Sequence, residues 1–124
     1  MARPKDEDAI GFRRPEVIVD FECEKGFLYL VIANVGSSSA KKISIKLDKK
    51  VRDFRGKPLS EILRHLEFLP PGKRFRLPVD RFSSYVVKQP MQVSASITYT
   101  DMDGRTCSDT IMHNLAIYKD LAEL

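Results

Sequence analysis

The sequence predicts an all-β protein, an antiparallel β-sandwich of about seven strands. Three observations carry that prediction. Apolar and polar residues alternate with period two over segment after segment. Turn-forming Gly, Pro, Asn and Asp separate these segments at roughly regular intervals. No long stretch carries the 3.6-residue period of a connecting helix, so no βαβ unit is indicated. A small β-barrel fits the same pattern and stays open at this level.

Each element can be justified in turn. "EVIVDFEC" places Val17, Val19, Phe21 and Cys23 on one face, with Glu16, Asp20, Glu22 and Ile18 on the other. "EKG" turns the chain at Gly26. "FLYLVIAN" is apolar on both faces and rich in β-formers, as a central strand should be. "NVGSSSA" breaks it: Asn34 can bond nearby N–H groups, and Gly36 tolerates a positive φ. "KKISIKLD" points Ile43, Ile45 and Leu47 inward and Lys42, Ser44 and Lys46 outward. "LSEILRHL" offers an N-cap at Ser60 and at most one short helical turn near 59–67, too short to stand alone. "LPPGK" is a turn, and "RFRLPV" is a strand whose Pro78 argues for an edge. "PMQVSASITYT" alternates most cleanly. "DMDGR" is a hairpin turn with Gly104 in the left-handed region, and "TCSDTIMHNLAIY" returns as the last strand. The expected core is Val17, Val19, Phe21, Leu28, Leu30, Ile32, Ile43, Ile45, Leu47, Phe75, Leu77, Val93, Ile97 and Tyr99.

The chain has 124 residues, 43% apolar and 31% charged, which suits one globular domain. Residues 1–14 read as a flexible lead-in, 15–121 as the sandwich and 122–124 as a tail. The longest apolar run, Phe27 to Ala33, is too short to span a bilayer. The first residues lack the apolar core of a secretory leader. A cytoplasmic location is therefore expected, with an anchor outside the chain left open. Cys23 and Cys107 are then expected as reduced, partly buried thiols, with a disulfide between them the alternative.

The net charge of +4 is unevenly spread. Lys41, Lys42, Lys46, Lys49, Lys50, Arg52, Arg55 and Lys57 face only Asp48 and Asp53 within their segment, so the rest of the chain is net acidic. Lys42, Lys46, Lys49, Lys50, Arg52, Arg55 and Lys57 are the candidate anion-binding residues, a ridge for nucleic acid or an anionic membrane surface. Outward lysines also protect strand edges, and nucleic-acid binding usually adds stacking aromatics. Only Phe54 lies inside the stretch.

No motif carries catalysis or a cofactor. "NVGSSSAKKISIKLD" lacks the Gly-Lys-Ser/Thr and the following helix of a phosphate loop. "DMDG" lacks the further oxygen ligands of a calcium loop. His65 and His113 are the two histidines, and a zinc site from Cys23, Cys107 and His113 would want a fourth ligand. No G-x-S-x-G elbow is present. No catalytic, cofactor-binding or metal-binding residue is expected.

Three stretches together resemble a large bacterial and archaeal group of uncharacterised immunoglobulin-like β-sandwich domains. "FLYLVIANVGSSSAKKISIKLD" is similar to its N-x-G-x-x-x-A signature between two strands. "LEFLPPGKRFRLPVD" is similar to its L-x-P-G turn. "VSASITYTDMDGRTCSDTIMHNLAIYKDL" is similar to its Y-x-D-x-x-G hairpin and closing strand. The similarity covers roughly residues 15 to 121. Asn114 replaces a frequent acidic residue, and Cys107 a common aromatic. The resemblance implies an immunoglobulin-like fold, no catalytic residues, and an accessory or binding role, often behind an N-terminal membrane helix. The expected function is a non-catalytic protein-interaction or accessory module whose partner is another protein or a neighbouring domain. Polyanion binding through residues 41–57 is the alternative.

Overall fold

The computed structural model describes residues 13–121, so most of the expected lead-in and the expected tail lie outside it. Seven strands form two antiparallel sheets: β1 (Val17–Glu24), β2 (Phe27–Asn34), β3 (Ala40–Leu47), β4 (Phe68–Leu69), β5 (Arg74–Arg81), β6 (Gln92–Thr100) and β7 (Thr106–Asn114). One sheet runs β1-β2-β5 and the other β4-β3-β6-β7. Two separate sheets facing one core make this a sandwich and dispose of the barrel.

The period-two alternation places the core as expected along most strands. Val17, Val19, Phe21, Leu28, Leu30 and Ile32 meet Ile43, Ile45, Val93, Ile97 and Tyr99, all buried. Leu47 and Leu77 are half-buried. Phe75 corrects the expected list: it is 41% exposed. It pairs with Ile32 on the edge strand β5, where no other strand lies beyond it to close over the ring.

Helix content also departs from the single short turn expected. Among the described residues there are three short helices: α1 (Leu59–Leu63), α2 (Phe82–Lys88) and α3 (Ala116–Leu121). α1 is not capped by Ser60; Pro58 precedes it, and Leu59 is fully buried with its N–H bonded to the Val51 carbonyl at 2.9 Å. That buried anchor, not a cap, sets where the helix begins. α2 buries Phe82 and Tyr85, and burial pushes the Tyr85 hydroxyl up to about 12. α3 cuts the last strand short, because the Asn114 side chain accepts the Ala116 N–H at 3.0 Å and turns the chain. These helices are too short to show a full amphipathic period, so tertiary burial decides them.

Two irregularities shape the strands. Lys25 and Gly26 both have positive φ, 53° and 80°, and join the closing pair Glu24 and Phe27 as a two-residue hairpin loop. In β3 the register shifts between Lys41 and Ser44, and Lys42 takes a positive φ of 51° in that bulge. Cys23 and Cys107 are free thiols, each half-buried.

Candidate functional site

Asn34 is the hub of one end of the sandwich. It is 1% exposed, and its side chain makes four hydrogen bonds. Oδ1 accepts from the N–H of Glu16 at 3.0 Å and of Gly36 at 2.9 Å. Nδ2 donates to the carbonyls of Ser38 at 2.8 Å and Leu69 at 2.9 Å. Its own carbonyl accepts the Gly72 N–H, so it also grips the "LPPGK" turn. Gly36 is needed for a different reason from the one expected. Its φ is not positive; a Cβ there would lie 2.3 Å from the Arg14 carbonyl oxygen and 2.5 Å from the Glu16 nitrogen. The segment entering β1 passes that close. The Asn34 side chain turns all its hydrogen-bonding groups inward onto the chain itself, while the buried Ser38 hydroxyl in the same turn has no partner among the described residues.

The seven basic candidates divide among β3, the turn after it and the loop that follows. Lys42 and Lys46 project from β3 on the outer face of its sheet, Lys42 from the bulge. Lys49 Nζ donates to the Gln92 carbonyl at 2.8 Å, and Lys50 is exposed beside it. The remaining three belong to a closed loop built on Asp53, which is 4% exposed. The Asp53 carboxylate takes the backbone N–H of Arg55 and of Lys57 through Oδ1, and the Arg55 guanidinium through Oδ2 at 2.6 and 2.9 Å. Burial pushes this carboxyl up, but the Arg55 guanidinium and the N–H groups of Lys57 and Arg55 outweigh it and hold it below its ordinary value. Arg52 spends its guanidinium on the Gly56 carbonyl and its backbone on the Gln89 side chain. Lys57 lends its backbone to Asp53 while its side chain is exposed.

Fold brings Phe54 company that its own segment lacks. Its ring centroid lies 6.5 Å from Phe27, and Phe27 lies 5.3 Å from Tyr29. This aromatic row occupies the outer face of β2. An arginine–glutamate lid lies over the Tyr29 end of the row, where Arg76 stacks on Tyr29 at 3.6 Å and bonds Glu24 at 2.7 Å and Arg74 bonds Glu22, while Phe54 at the other end stays 57% exposed. The lid explains why Val31, also outward, is 1% exposed. The Arg76 hydrogen bond holds the Glu24 carboxyl below its ordinary range.

A concave apolar surface lies elsewhere, between α1 and β5. A groove of about 210 Å³ is lined by Ile32, Ile62, Leu63, His65, Leu66, Phe75 and Leu77. Phe68, next to it in sequence, is 52% exposed. His65 lies on this groove, and His113, the histidine of the zinc set weighed from the sequence, donates through Nε2 to the Val19 carbonyl at 2.8 Å. Among the described residues, no three His, Cys, Asp or Glu side chains gather as a metal site, and no helix is long and apolar enough to cross a membrane. The alternating pattern hid the groove, because Phe75 and Leu77 read as ordinary core positions.

Comparison with known proteins adds the family. No curated protein and no solved structure matches the chain. One family model does, over residues 3–119, and its description is a domain of unknown function (DUF8453). A match over nearly the whole sequence, including every strand described above, means that the chain belongs to that family.

Proposed function

We propose that this chain is an immunoglobulin-like, non-catalytic protein-interaction module that docks an apolar segment of a partner polypeptide between α1 and β5. The strand order supports the immunoglobulin-like reading: β1, β2 and β5 stand as strands A, B and E, and β4, β3, β6 and β7 as C′, C, F and G. The groove is the observation that carries the docking reading, because Phe75 stands 41% exposed on a wall shared with Ile62, Leu63, Leu66 and Leu77, and Phe68, two residues past Leu66, is exposed as well. Beside it runs β5, an edge strand whose Pro78 interrupts its outer row of N–H donors.

Site-directed photo-cross-linking in the native host tests this. A photoreactive residue at Phe68 should give a discrete protein adduct. One at Met112, which is 81% exposed on β7, should not. Adding Leu66→Asp should abolish the Phe68 adduct while the chain stays folded. Equal labelling at both positions, or none at Phe68, would remove the groove from consideration.

Polyanion binding is the second reading, favoured by one observation, the row Phe54, Phe27 and Tyr29 beside Arg55. It requires salt-sensitive heparin retention that Ala at Lys46, Lys49, Lys50 and Arg52 abolishes. Because Arg55 and Arg52 are already engaged, weak retention is the expected result.

A further inference from the structure

At the opposite end of β2 from Asn34, a cavity of about 750 Å³ opens between the β1–β2 hairpin, the start of α2 and the helix α3. Its volume lies in the usual range for small-molecule sites. Three aromatic rings line it: Phe27, Phe82 and Tyr118, the last two edge to face at 6.1 Å. Its charged lining is cationic, from Lys25 and Arg81, and among the described residues no carboxylate lines it. Glu22 and Glu24, beyond Cys23, are held by Arg74 and Arg76.

Lys25 breaks a local rule to stand there. In a two-residue hairpin loop with positive φ at both positions, Asn or Gly is the favoured first residue. Lysine at φ 53° carries backbone strain at an exposed position. Such local conflicts concentrate where function requires a particular side chain. The other titratable groups on the wall add no negative charge at neutral pH, since burial pushes both the Cys23 thiol and the Tyr118 hydroxyl up. We infer that this cavity binds a small amphipathic anion, a carboxylate or sulfonate on an aromatic or aliphatic body. Its acid group sits between Lys25 and Arg81, and its body lies on Phe27, Phe82 and Tyr118. The site is separate from the α1–β5 groove and does not depend on it.

Titration of the isotope-labelled protein with octanoate, followed by NMR, tests the inference. Saturable shifts are expected at the amides of Lys25, Gly26, Phe27, Phe82 and Ser83. The neutral analogue 1-octanol should bind at least about tenfold more weakly, the weight of one charge-assisted hydrogen bond. Lys25→Asn should fold at least as stably, since Asn-Gly suits the turn, yet bind octanoate about tenfold more weakly. Arg81→Gln should weaken it similarly. Absence of saturable shifts at these amides, equal affinity for octanol, or unchanged binding in both variants would overturn the proposal. Shifts confined to Ile62, Leu66 and Phe75 would also overturn it, and would leave the partner-docking reading to its own cross-linking result.

Discussion

At the scale of single residues, Asn34 and Gly36 show how one short motif organises an end of the sandwich. Asn34 satisfies donors and acceptors on three separate stretches of chain, at Glu16, at Gly36 and Ser38, and at Leu69. Replacing it with alanine would leave several buried backbone groups unpaired. Asn34→Ala should therefore cost about 2–4 kcal/mol, read as a lower urea midpoint with an unchanged slope. A loss below about 1 kcal/mol would mean that water replaces those bonds. Part of this was legible in advance. An asparagine ending an apolar strand, followed by glycine, reads as a side-chain-capped turn. Its bond to the Leu69 carbonyl spans 35 positions, and nothing in a local pattern announces it. Gly36 was legible as a required glycine for the wrong reason, since the close approach of Arg14 is a tertiary fact.

At the scale of elements, alternation was the reliable signal and charge the deceptive one. The lysines of β3 point outward as the pattern requires. The arginines that follow read as available cations, yet the buried Asp53 carboxylate engages the Arg55 guanidinium at the surface and closes a loop. This loop should make stability acid-sensitive. The Asp53 carboxyl is held below its ordinary value, so its contribution is complete above an unfolded pKa of about 4 and is lost as pH falls through the folded value. Asp53→Asn should be less stable than the parent chain at pH about 7, and the gap should narrow below pH about 4. Urea midpoints at a series of pH values would show it. A gap that stays constant down to pH about 2 would mean that the loop's charge does not stabilise the fold. The helices show the complementary failure. α2 and α3 are seven and six residues long, and what fixes them is the burial of Phe82 and Tyr85 and the turn at Asn114.

At the scale of the whole molecule, the question is how two open sheets keep their edges from pairing with other chains. Each edge has a device. β1 is bonded by side chains, the His113 ring at the Val19 carbonyl, the Tyr118 hydroxyl at the Phe21 carbonyl, and the Asp20 carboxylate at the Phe21 N–H. β5 carries Pro78, and β4 is two residues long. β7, nine residues long, places Asp109 opposite inward-facing Ile97 and uses its carboxylate on the Thr110 N–H. Asp109→Val should remove that guard and increase self-association over the parent chain with rising concentration, as sedimentation would reveal. If the variant sediments like the parent, some other feature protects β7. The sequence by itself determined the six long strands, most of their inward faces and the glycines of the hairpin turns, because these follow from local sterics and from the period of apolar residues. Only the tertiary structure decided which cations remain available, which apolar residues stay uncovered between α1 and β5, and which side chains close the β1 edge. Those depend on groups far apart in the chain meeting in space, and such meetings leave no trace in a local pattern.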